Sequence, residues 1–125
     1  MAEKEIKEVL DKILEDLRRA SDIEASAIVR RDGLMIASDL PSKVDARTFS
    51  AMAAALVGTA ETCSSELKRG AFKEVIVESK DGKIVATGAG KQAILVTLMR
   101  KDGNLGLVLL AMERAAKEIE KITEE

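Results

Sequence analysis

From Glu3 to Arg19 the apolar residues Ile6, Val9, Leu10, Ile13, Leu14 and Leu17 recur at steps of three and four, with Glu and Lys filling most of the gaps. That period predicts an amphipathic helix, broken by Ser21-Asp22. Two β-prone runs, Ala25 to Arg30 and Leu34 to Ser38, then flank Arg31-Asp32-Gly33. Asp-Gly between such runs predicts an antiparallel hairpin, because Gly takes the positive φ these turns require. A second Asp-Gly hairpin is expected where Phe72 to Ser79 and Lys83 to Thr87 flank Lys80-Asp81-Gly82. Gln92 to Arg100 has the apolar density of a central strand buried on both faces. After Lys101-Asp102-Gly103-Asn104 the run Leu105, Val108, Leu109, Met112, Ala115, Ala116, Ile119 takes helical spacing. Leu107-Val108-Leu109-Leu110 alone also fits a sixth strand, and continuity with Met112 to Ile122 favours helix.

Asp45 to Arg69 is predicted as the central helix, about 35 Å long at roughly 1.5 Å per residue. Asp45 is placed to cap its first N–H groups, Lys68-Arg69 suit the negative end of its dipole, and Gly70 supplies the left-handed residue that follows a C-terminus. Phe49, Ala53, Leu56, Ala60, Cys63 and Leu67 fall within about 40° of one line, the geometry of a buried stripe. The opposite arc, Ala51, Ala54, Ala55, Gly58, Thr62 and Ser65, consists of small residues, and no charge occurs from Thr48 through Ala60. In a chain that is 34% charged, so bare a face implies that something packs on it. One reading covers it with the first or last helix. The other leaves those helices on the far side of the sheet and brings a twin helix from a second copy, with Phe72 to Ser79 as an edge strand paired to its own twin.

The order is thus α-β-β-α-β-β-β-α, an α+β fold of layers around a five-stranded, mostly antiparallel sheet with one helix on one face and two on the other. A length of 125 residues with 46% hydrophobic content suits one domain over 1–125, its core about 5–122. Twenty basic and 22 acidic residues are interspersed, so no basic patch argues for nucleic acid. There is no His, Trp or Tyr and one Cys, which leaves metal clusters, disulfide frameworks and base stacking without their parts. No signal core or membrane span is visible, so a cytoplasmic protein without membrane insertion is expected.

The remaining motifs resolve to structure. Gly88-Ala89-Gly90-Lys91-Gln92 lacks the earlier Gly and the Ser or Thr of a phosphate loop, having Val85 and Gln92 there, and it opens a strand. Cys63 has no His to activate it and, from its place in the stripe, is expected to be a buried, inert thiol. The turns at Asp32, Asp81 and Asp102 lack the alternating carboxylates of a calcium loop. No catalytic residue, metal ligand or cofactor-binding residue is expected.

Ala27 to Ser38, the Ala-rich helix at Met52 to Gly58, Val75-Ile76-Val77-Glu78 before Asp81-Gly82, and Asn104-Leu105-Gly106-Leu107 together resemble the roadblock family of dynein light chains and GTPase regulators. The resemblance spans about Glu5 to Ile122 and implies the profilin-like layered order above, with Asn104 onward helical. It also implies a homodimer through the second helix and third strand, whose paired helices form a platform for a Ras-like small GTPase. On this sequence the dimer interface would hold Ala51, Ala54, Ala55, Gly58, Thr62, Ser65, Lys73, Val75 and Val77, with Arg47, Glu61, Glu66 and Arg69 meeting the partner. It implies a non-enzymatic regulator of a GTPase's nucleotide cycle; the alternative is a passive scaffold indifferent to nucleotide.

Overall fold

The structure, a computed structural model, describes residues 2–20 and 22–124. Along the chain lie α1 (Glu3–Ala20), β1 (Ile23–Arg30), β2 (Met35–Asp39), α2 (Ala46–Glu66), β3 (Glu74–Ser79), β4 (Gly82–Ala89), β5 (Ala93–Arg100) and α3 (Leu105–Thr123). Ser21, expected to help break the first helix, lies outside the described residues. The five strands form one sheet in the order β2-β1-β5-β4-β3, antiparallel at every step. β5 is central and buried over nearly its whole length, while β3 and β2 are the edges.

Alternation along the strands sends two sets of side chains to opposite faces. Ile28, Val85, Leu95 and Met99 meet α1 and α3, through Leu10, Leu14, Met112 and Ile119. Ala27, Val29, Ala86, Ile94 and Val96 meet α2 alone, through Ala53 and Val57. The first and last helices therefore share one face, and α2 lies across all five strands on the other. Val9, read as part of the α1 stripe, is 37% exposed at its margin.

The helical choice after residue 104 holds, and the Asn104 side chain accepts from the Leu107 N–H at the start of α3. This cap went unnamed in the sequence. An Asp22 carboxylate oxygen accepts from the Asn104 N–H at 2.8 Å and the other is paired with the Arg100 guanidinium, tying the start of β1 to the end of β5. Gly33 takes the positive φ expected of its turn (97°), whereas Gly82 does not. Gly82 is instead buried against β5, where a Cβ would come within 3.0 Å of the Met99 carbonyl oxygen.

Candidate functional site

α2 is closed at both ends by local hydrogen bonds. The Asp45 carboxylate accepts from the Arg47 and Thr48 N–H groups at 3.1 and 3.2 Å. These bonds hold its carboxyl below the usual range, the Thr48 N–H contributing most. At the other end the Lys68 N–H bonds to the Ser65 carbonyl and the Arg69 N–H to the Ser64 carbonyl, the paired bonds of a Schellman turn. The left-handed residue in that turn is Lys68 (φ 53°), with Gly70 left-handed two residues on (φ 88°). The position assigned to Gly70 thus falls to a residue with a Cβ, at a cost of roughly 1 kcal/mol.

The buried line of α2 is Ser50, Ala53 and Val57. It is turned from the expected stripe by somewhat less than one residue's step of roughly 100°. Two expectations fall with that rotation: Cys63 is exposed, and Leu67 is 69% exposed just past the helix end. Ala occupies so many positions that burying either arc costs little, and the sheet took the line that seats Val57 over Val29, Ile94 and Val96. Phe49, Leu56 and Ala60 are half-buried along one flank, and Met52, at 64% exposure, continues it outward.

On the same sheet face, Val77 pairs with Ile84 and Ile84 with Leu98, and all three are only half-buried. Val75 is likewise half-buried and packs against the α2-side core. One flank of α2 and the neighbouring corner of the sheet therefore form a continuous uncovered apolar surface reaching the β3 edge. Lys73 precedes that edge, exposed. Of the small residues, Ala51, Ala55, Gly58, Thr62 and Ser65 are exposed and Ala54 is half-buried. A Cβ at Gly58 meets nothing within 4 Å.

Arg47, Glu66 and Arg69 project outward at the two ends of α2. Glu61 departs from the expected free rim: its carboxylate accepts from Arg31 Nη1 at 2.7 Å. The Arg31 guanidinium also donates to the Gly90 carbonyl at 3.0 and 3.3 Å, and a Cβ on Gly88 would stand 2.8 Å from its Nη2. Gly88 and Gly90, the tempting part of a phosphate loop, thus lie beside and in a strand connection, where Gly88 makes room for the arginine and Gly90 supplies the carbonyl it donates to. Beside this pair, Glu61, Ser65, Lys68, Gly70, Ala71 and Phe72 line a shallow depression of about 520 Å³.

Sequence reasoning missed Met52, Arg31 and Lys68. Met52 carried a signal in its four-residue spacing to Leu56. Arg31 carried none, because its partner lies 30 residues away. No helix among the described residues is long and apolar enough to cross a membrane.

The family model of the Roadblock/LC7 domain matches residues 9–99. Uncharacterized protein MJ0714 of Methanocaldococcus jannaschii is 40% identical over 114 residues, covering 91% of this chain and 96% of the relative. Gliding protein MglB of Thermus thermophilus superimposes with a TM-score of 0.85 at 21% identity, over 95% of this chain and 91% of that one. Profilin IB of Acanthamoeba castellanii does so at 0.65 and 12%, over 90% and 97%. Both structural likenesses concern the fold, and profilin marks its layered class. With the family model and the archaeal relative each matching most of the chain, the protein belongs to the Roadblock/LC7 domain family.

Proposed function

We propose that this protein is a non-enzymatic, cytoplasmic homodimer that binds a Ras-like small GTPase on the outer side of α2 and biases its nucleotide cycle. The observation that carries the reading is the arc Ala51, Ala55, Gly58, Thr62 and Ser65: exposed, small-residued, and, among the described residues, on the only helix covering its side of the sheet. Small residues let a partner's backbone approach closely, and the uncharged centre spares it a desolvation cost.

The rotation of α2 supports a different division of its residues from the one expected. The twin would take the apolar flank, Met52, Leu56, Cys63 and Leu67, with Val75, Val77 and Lys73 at the β3 edge and the half-covered Ile84 and Leu98 beneath. Pairing β3 with its copy would continue the sheet and remove an open edge. The small-residue arc, including Ala54 at its inner margin, would then remain for the visitor, with Arg47, Glu66 and Arg69 at its ends.

Binding can shift a nucleotide cycle only through different affinities for the two states. The test is capture from an extract of the source organism loaded with GTP or with GDP, followed by identification of the retained protein and titration of the purified GTPase. Nucleotide-selective binding by the dimer is the expected result. A GTPase held equally in both states, or none, overturns the regulatory reading and leaves the scaffold.

A further inference from the structure

We infer that the C-terminal corner of α2, Lys68 and Arg69 beside the depression floored by Phe72, receives a carboxylate-bearing segment of the protein partner. The inference rests on the reading of the outer side of α2 as the partner's seat.

Ion pairing across the molecule is uneven. Lys7, Lys12, Arg18, Arg19, Arg30, Arg31, Arg100 and Lys117 each have a carboxylate oxygen within 4.0 Å. Among the described residues, Lys43, Arg47, Lys68, Arg69 and Lys73, the five cations between residues 40 and 73, all lack one, as do Lys4, Lys80, Lys83, Lys91, Lys101, Arg114 and Lys121. The acids of this segment are partly spoken for: Asp45 caps the helix and Glu61 is held by Arg31. From 40 to 73 the formal charge is five minus three, or +2, in a chain whose net charge is −2, leaving −4 for the remainder.

The depression itself is set up for a visiting carboxylate. Glu61, the acid in its lining, is already neutralised at 2.7 Å by Arg31, so among the described residues Lys68 and neighbouring Arg69 stand at the rim without an ion pair. Half-buried Phe72 and exposed Ala71 give an apolar floor for the stem of an incoming side chain. Lys68 also holds a left-handed backbone in which Gly is less strained. A Lys kept there against local preference is explained by a use for its ammonium group.

A nucleic acid or an anionic bilayer fits less well. The corner offers two cations and a single half-buried aromatic ring, too little for a run of stacked bases, and exposed Glu66 and Glu74 flank it on the chain and would repel an extended anionic plane.

The probe is a hexapeptide of alternating Glu and Leu, with a Gln-Leu copy as control, titrated into the labelled full-length protein and followed by amide NMR shifts. Selective shifts at residues 65–72 with the Glu peptide, removed by high salt, are expected. Lys68→Glu should weaken binding about tenfold. Lys68→Gly should weaken it as well while raising the thermal midpoint, a combination that a merely structural lysine does not produce. Equal shifts with the Gln peptide, no shifts, or stronger ones with duplex DNA or phosphatidylserine vesicles overturn the assignment. Selective shifts where no GTPase is captured support the corner and count against the GTPase alone. A purified GTPase that binds Lys68→Glu as tightly as the unaltered protein overturns the corner and leaves the GTPase reading standing.

Discussion

Arg31 reaches from the β1–β2 turn to Glu61 on α2, closing a 2.7 Å ion pair between groups each about one-third exposed. Its guanidinium simultaneously bridges to the β4–β5 turn through the Gly90 carbonyl. One side chain therefore fixes α2 to two connections at the same end of the sheet. Glu61→Gln should lower stability by about 1 kcal/mol, since partial exposure moderates the Coulomb gain. Arg31→Met should cost more, because it also leaves the Gly90 carbonyl short of a donor. Urea melts of both singles and the double variant check this, with the double expected to fall short of the sum. Strict additivity would remove the coupling.

Two substitutions separate the sides of α2. Met52→Glu places a charge on the flank assigned to the twin, and an unpaired buried charge costs several kcal/mol in order of magnitude; light scattering should report half the mass. Gly58→Glu projects into open space, so the variant should fold and remain dimeric while losing capture of the GTPase. A dimeric Met52→Glu, or a monomeric Gly58→Glu, would return the small-residue arc to the twin.

Acid should release the clasp at Asp22. Its carboxyl is held below the usual range, first by the Asn104 N–H and then by Arg100. Because the folded value is the depressed one, the stabilisation is complete above the unfolded value, about 3.9, and is lost as pH falls through the folded value. Asp32 and Asp45, depressed mainly by the N–H groups of Leu34 and Thr48, act in the same direction. Denaturant melts from pH 7 down to about 2.5 should show Asp22→Asn destabilised at neutral pH and converging on the parent in acid. A constant gap would assign the effect to packing instead.

Ser26 is 1% exposed and its hydroxyl has no hydrogen-bond partner among the described residues. It faces Thr97 across β1 and β5, whose own hydroxyl contacts the Met112 sulfur at 3.3 Å. Removing a desolvated hydroxyl that bonds nothing should help: Ser26→Ala is expected to stabilise by about 1 kcal/mol, measured by chemical denaturation. A loss of stability would point to an ordered water on Ser26.

Where hydrophobic contrast is strong, the fold was legible from the residues. The Leu and Ile spacing of α1, the density of Gln92 to Arg100 and the run into Ile119 each admit one placement once a sheet must be covered on both faces. α2 resisted for the opposite reason. With Ala at both arcs, periodicity locates the helix but leaves its rotation to the packing of Val57 against Val29 and Ile94, which no local window contains. In the proposed dimer, the stripe read as core is apolar because part of it serves a surface that one chain leaves half-finished. Lys68 shows a second limit: Gly70 is left-handed as expected, but the left-handed position of the capping turn itself is taken by Lys68, two residues earlier.

The two edges of the sheet are unlike. β3 pairs with β4 in unbroken register, whereas β2 shifts register against β1 between Ile28 and Val29, inserting Ile36 as an extra residue, and its last residue, Asp39, is gripped by Arg18 from α1. A straight edge accepts another strand and a kinked one discourages it. Growth by strand addition is therefore self-limiting: joining two copies along β3 consumes both hospitable edges and leaves a bulged border at each outer end. The same asymmetry that would permit a pair guards against a fibre.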